Sequence, residues 1–189
     1  MFWLFYRADT RSASGGANPF RPRLWGYPLG GMFWLIAALV FVVDQASKYW
    51  VTSALNTFQS VPVIPGVLHL TRTHNTGIAF GLMDGKGWIT IPLSLLVMGG
   101  IVVYLRRAQP SRFVQVMLGL LFGGAAGNLI DRLRYGYVVD MFDLLVWPVF
   151  NVADIAITVA LLGLVLLQFI GAHPAPGEPP AESEEAPSR

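Results

Sequence analysis

Four long apolar stretches alternate with polar segments along the 189-residue chain. Trp25–Val43 runs for 19 residues without a charge, Trp88–Leu105 and Phe113–Ile130 for 18 each, and Val149–Ile170 for 22 with Asp154 as its single charge. A helix that crosses a bilayer needs about 20 mostly apolar residues, so the pattern predicts four transmembrane helices. Between the first two, Val61–Leu70 reads VPVIPGVLHL, and Thr76-Gly77 and Asp84-Gly85 are turn signals. This segment predicts a small, twisted β-structure lying on the outer membrane face, with prolines at its edges. The helical domain spans residues 25–171. A tail, residues 1–24, precedes it and carries a short apolar run and four Arg. Residues 172–189 are rich in Pro, Glu, Ala and Ser, cannot bury a core, and are expected to be disordered.

Composition supports the membrane reading. Only 13% of residues are charged, against roughly 25% in soluble domains. The 13 basic and 11 acidic side chains form no block that would mark a nucleic-acid partner. There is no cysteine, which removes disulfides, thiolate metal sites and Cys nucleophiles together. Orientation follows from Arg and Lys near the spans. Arg7, Arg11, Arg21, Arg23, Arg106, Arg107 and Arg112 fall on one side, and Lys48, Arg72, Lys86, Arg132 and Arg134 on the other. Seven against five puts both termini in the cytoplasm and segments 44–87 and 131–148 outside. Trp50, Trp88 and Trp147 suit an interfacial aromatic belt equally as well as ordinary packing.

The chemistry concentrates between Asn128 and Asp154. A carboxylate at the membrane centre costs about 3 kcal/mol and marks a functional site by default. Asn128, Asp131 and Arg132 stand at i, i+3 and i+4, hence on one helix face, after the small-residue run Gly123–Gly127 that lets helices approach closely. The simplest reading of Asp131 is a salt bridge to an Arg at the helix end. Asn151, Asp154 and Thr158 repeat the spacing at the start of the fourth span. Asn151 suits a helix cap; Asp154 lies about one turn into apolar sequence with no base beside it. Asp140 and Asp143 lie on the short connection and can fold back over Asp154. Two carboxyls at a partly dry site share a proton, as in aspartic proteases, but spacing leaves the partner of Asp154 open among Asp131, Asp140 and Asp143. Other designs find no support. His69, His74 and His173 form no HExxH, no GxSxG elbow occurs, no Ser pairs recognisably with a His, and no GK[ST] phosphate loop is present. Asp44 and Lys48 read as an interfacial ion pair that ends the first helix. Asn75-Thr-Gly77 reads either as a turn or as an amide aimed at a peptide backbone.

Four blocks together resemble the lipoprotein signal peptidase (signal peptidase II) family: VVDQASKYWV (Val42–Val51), HNTGIAFGL (His74–Leu82), GGAAGNLIDRLRYGYVVDMFD (Gly123–Asp143) and VFNVADIAITVA (Val149–Ala160). They occur in the family's order over about residues 25–170. The resemblance implies a membrane all-α fold of four transmembrane helices, with a small extracytoplasmic β-cradle, approximately residues 55–82, between the first and second. It implies an intramembrane aspartic endopeptidase of the bacterial plasma membrane. Such an enzyme cuts the signal peptide from diacylglyceryl-modified prolipoproteins before the lipidated Cys, with membrane lipid around it and no metal, cofactor or nucleic acid, as a monomer. By matching motifs it names Asp140 and Asp154 as catalytic. It names Asp44, Lys48, Asn75, Gly77, Asn128, Arg132 and Asn151 as supporting or substrate-binding residues. The segment between Asp140 and Asp154 looks shorter than in many relatives, and both tails lie outside the common core. Two non-enzymatic readings compete: a small transporter using Asp154 as a proton relay, which does not need Asp140, and a helper that only binds lipoproteins.

Overall fold

The computed structural model describes residues 30–77 and 87–171. The two tails, residues 25–29 of the first expected span and the Asp84-Gly85 turn lie outside the described residues. The described chain has four helices long and apolar enough to cross a membrane and one small sheet. Helix α1 (Gly31–Ala54) leads to strands β1 (Ser60–Ile64) and β2 (Leu68–Asn75). After a single 3₁₀ turn, Gly87–Ile89, come α2 (Thr90–Arg107), α3 (Arg112–Tyr135), strand β3 (Val138–Asp143) and α4 (Val152–Gly171).

The first helix corrects the reading of Asp44 and Lys48 as its end. It runs on to Ala54, and both residues are buried within it, at 0% and 4% exposure. The charges point inward and neutralise one another, so the helix has no reason to stop. Helix α3 is capped by Ser111, whose hydroxyl accepts the Val114 N–H at 3.4 Å. It stops at Gly136, which adopts φ 79° and returns its N–H to the Arg132 carbonyl, a left-handed stop that suits glycine.

Helix α3 is the centre of the bundle and packs against α1, α2 and α4. Its glycines set the distances. A Cβ on Gly123 would stand 2.6 Å from the Ala37 carbonyl oxygen of α1, and one on Gly124 would stand 2.6 Å from the Ala153 carbonyl oxygen of α4. Backbone on backbone at this range cannot yield by a rotamer change. Gly124→Leu should therefore destabilise the protein by about 1–3 kcal/mol, the usual cost of overpacking, read as a lower melting temperature in detergent. Gly100→Leu, where an added Cβ meets nothing within 4 Å, should melt with the wild type.

The outward faces are apolar: Leu35, Leu96, Leu162 and Leu166 are each more than half exposed. Asp44, Lys48, Asn128, Asp131, Asp140 and Asn151 are buried. That inversion suits a bilayer, where polar groups must face one another. Trp50, Trp88 and Trp147 are each more than half exposed, which fits an interfacial belt rather than a packed core.

The sheet differs from expectation in its third strand. The order is β1-β2-β3, antiparallel throughout, so the segment between α3 and α4 completes it. Edge strand β1 is exposed and contains Pro62, where a missing donor does least harm. Strand β3 is the buried one. Val139 and Met141 pack with Val51 of α1, and Arg72 Nη1 donates to the Thr52 and Leu55 carbonyls at 3.0 and 2.9 Å, closing the end of α1. Between Leu70 and Thr73 the β2–β3 register slips: His69 pairs with Asp143 and Leu70 with Phe142, then Thr73 with Asp140 and Asn75 with Val138. Side chains alternate faces along a strand. The slip therefore brings Asn75 to the face that carries Asp140, and leaves His74, Val139 and Asp143 on the other.

Candidate active site

Lys48 anchors the polar interior. Its ammonium has three protons and three acceptors: Asp44 Oδ2 at 2.8 Å, Asp131 Oδ2 at 2.9 Å and Asn128 Oδ1 at 3.0 Å. Asp44 also accepts the Ala153 N–H at 3.0 Å, tying α1 to α4. Asp131 also accepts the Val139 N–H at 3.2 Å, tying α3 to β3. The expected Asp131–Arg bridge is thus corrected: its cation is Lys48, from another helix. Gln45, which the sequence reading passed over, donates to Asp131 Oδ1 at 3.0 Å, Asp44 Oδ2 at 3.2 Å and the Gly127 carbonyl at 3.3 Å. Its signal was a polar side chain beside Asp44 at the end of an apolar run.

On this platform two amides strap two carboxyls together. Asn151 sits just before α4, and its side-chain oxygen accepts the Asp154 N–H at 2.9 Å while Asp154 Oδ2 accepts the Asn151 N–H at 3.2 Å, a reciprocal cap. The same Asn151 points its Nδ2 at Asp140 Oδ1, 2.6 Å away, and at Asn128 Oδ1, 3.1 Å away. Asn128 Nδ2 then donates to Asp154 Oδ1 at 2.9 Å. Asn151 is therefore both the cap and a contact of both carboxyls. Asn75 likewise serves both readings: its Oδ1 accepts the Gly77 N–H at 3.1 Å in a turn, and its Nδ2 donates to Asp140 Oδ2 at 2.9 Å.

Asp140 is 1% exposed. Burial first, and then the nearby Asp154 carboxylate, push it up from an ordinary 3.8 to about 7, against the lowering effect of Asn75, Asn151 and Lys48. Four carboxyls (Asp44, Asp131, Asp140, Asp154) face two cations (Lys48, Arg132) here, so a proton held between Asp140 and Asp154 reduces the excess negative charge. Asp143 stands apart, accepting from the Thr71 hydroxyl at 3.0 Å and the Leu145 N–H at 2.8 Å. Arg132 bridges α3 to the turn after β2, donating to the Gly77 carbonyl at 3.2 Å and the Asn128 carbonyl at 3.4 Å. Its Nε is buried with no partner among the described residues, leaving one donor unused.

Two histidines lie elsewhere. His74 stacks on Tyr137 with centroids 3.8 Å apart, and burial, then Arg72, push it below its ordinary value. His69 corrects the expectation that no Ser pairs with a His: its Nδ1 lies 3.2 Å from Ser60 Oγ. That pair is exposed, and the nearby Asp143 is engaged by Thr71 rather than by the imidazole, so the order of a nucleophilic triad is missing.

Residues 36–170 match the family model described as Signal peptidase (SPase) II. A lipoprotein signal peptidase of Moorella thermoacetica is 46% identical over 136 residues, covering 71% of this chain and 89% of that protein. One from Geobacillus thermodenitrificans is 38% identical over 151 residues, covering 77% and 94%. Among solved structures, a bacterial membrane enzyme determined by the in meso method at 2.3 Å superposes with TM-score 0.73 at 28% identity, covering 87% of this chain and 99% of that one.

Proposed function

Because the chain belongs to the signal peptidase II family, we propose that it is an intramembrane aspartic endopeptidase acting on prolipoproteins that carry diacylglycerol on a Cys, and that it cuts just before that residue. The observation that carries the catalytic assignment is the contact of one residue, Asn151, with both carboxyls, Asp140 through its side chain and Asp154 through its backbone. Asp140 and Asp154 share one proton and titrate as a pair. The ionised member takes a proton from water, which attacks the scissile carbonyl. The protonated member polarises that carbonyl, and a proton then reaches the leaving amine. No covalent intermediate is needed, and no metal or cofactor takes part.

The supporting residues divide by what they touch. Asn75, Asn128 and Asn151 orient the pair. Asp44 and Lys48 fix the helices that carry it. Arg132 and Gly77 form the neighbouring wall. The diacylglycerol stays in lipid while the peptide bond enters the bundle. The excess of Arg on the segments opposite the sheet puts both termini in the cytoplasm and the site near the outer face.

The pH dependence has a definite sign. Between pH about 4 and about 7 the folded protein holds a proton on Asp140 that the unfolded chain releases. This carboxyl's contribution to stability is therefore greatest at the acid end and falls as pH rises through that window. Catalysis needs the same proton, so kcat/KM should decline above pH about 7 by roughly tenfold per unit. The test is a purified diacylglyceryl-prolipoprotein incubated with the detergent-solubilised enzyme across pH 5 to 9 (roughly the range over which the pair loses its proton). Mass spectrometry should find one new N-terminus, at the lipidated Cys, with turnover unchanged by a chelator. No cleavage, or cleavage that a chelator abolishes and metal restores, refutes the reading.

A further inference from the structure

A cavity of about 410 Å³ lies on the Val139 side of β3, the face opposite Asp140. Its size is that of a small-molecule site. Its floor includes Lys48 and Asp131, but both are already engaged: the three Lys48 protons go to Asp44, Asp131 and Asn128, and Asp131 accepts from Lys48, Gln45 and the Val139 N–H. The floor therefore supplies no free cation, since one ammonium is shared by two carboxylates. The walls add two guanidiniums, Arg72 from β2 and Arg134 from the last turn of α3. Among the described residues neither has a carboxylate partner; Arg72 Nη1 is held by the Thr52 and Leu55 carbonyls, which fixes the guanidinium in place without neutralising its charge. Tyr49 and Tyr135 stand at the rim, 75% and 56% exposed. Tyrosines gather at the depth of lipid headgroups, and Trp50, next to Tyr49, is exposed as well.

Two guanidiniums without counter-ions, hydroxyl donors around them and an aromatic rim match one chemistry. Guanidinium presents paired N–H donors to the oxygens of a phosphate, and the tyrosine hydroxyls of the lining can complete its coordination. We propose that this cavity binds a phosphate-bearing anion, supplied by the headgroup of an acidic phospholipid or by phosphate in solution. The cavity shares Lys48 and Asp131 with the platform beneath the carboxyl pair, but the proposal does not rest on the peptidase reading.

The test uses the full chain in detergent and native mass spectrometry, with phosphatidylglycerol as the first probe. Wild type should retain one lipid, and Arg134→Gln should bind it at least about tenfold more weakly, as expected for loss of a charge-assisted bond. Arg134→Lys should recover part of the binding. Arg134 is exposed, so Arg134→Gln should melt with wild type in lipid-free detergent. Inorganic phosphate is the second probe. If it displaces the lipid through Arg134, the cavity takes the free anion too; if it does not, the headgroup is the ligand. Equal retention of phosphatidylglycerol by wild type and Arg134→Gln overturns the proposal.

Discussion

Asp140→Asn and Asp154→Asn should each lower cleavage of a diacylglyceryl-prolipoprotein by about a thousandfold or more, the scale of losing a positioned acid or base. The two substitutions act differently on their surroundings. At position 140 the new amide meets amide donors from Asn75 and Asn151 on both sides, so one contact must be lost or reversed. At position 154 one oxygen remains to accept either from Asn128 or from the Asn151 N–H, and loss of the other costs about 1 kcal/mol, as for a cap. Both variants should therefore stay folded, with melting temperatures that separate chemistry from stability. Asp143→Asn is the informative control. Asp143 faces the Ser60–Thr71 ladder rather than Asp154, so its variant should keep near-normal turnover. Either dyad variant retaining wild-type rates while folded refutes the pair.

The second large effect is on stability. Lys48→Met should destabilise the protein by about 3–5 kcal/mol, the cost of breaking a buried ion pair from one side. Asp44 and Asp131 both rest on that one ammonium, and both are almost fully buried. Adding Asp131→Asn to Lys48→Met should recover a measurable part of the loss, because it removes a stranded carboxylate. If it adds to the damage instead, the network is not held by charge. Thermal melting of the single and double variants in detergent supplies the comparison, as a coupling cycle.

Much of this architecture is legible in the sequence because a bilayer imposes a coarse pattern. Four apolar runs of the right length gave four helices, and the prolines of VPVIPG marked an edge strand. The misreadings share a cause: partners distant in sequence. Asp44 and Lys48 look like a helix end until Asp131 and Asn128, some 80 residues away, are seen to absorb them. Strand β3 carries buried residues on both faces from Val138 to Met141, so it shows none of the alternation that identifies a half-exposed strand. The choice of Asp140 over Asp143 depends on which face of that strand meets α4. Spacing cannot supply this, and the family resemblance could. Asn75 and Asn151 each looked like a local turn or cap residue, and each is one. Their second contacts, both to Asp140, cross 65 and 11 residues of chain.

The register slip in β2 has a further consequence. A strand addresses its two faces by odd and even count, and the slip inverts that count between Leu70 and Thr73. Were the ladder regular, Asn75 would share a face with Tyr137 and Val139, and Asp140 would keep only one of its two amides, that of Asn151. The more regular sheet would thus be the one with the less firmly held carboxyl. Insertions or deletions in this strand are then sorted by parity. A change of one residue near Arg72 exchanges the faces of the strand end, whereas a change of two preserves them. The segment is therefore closed to single-residue change in length.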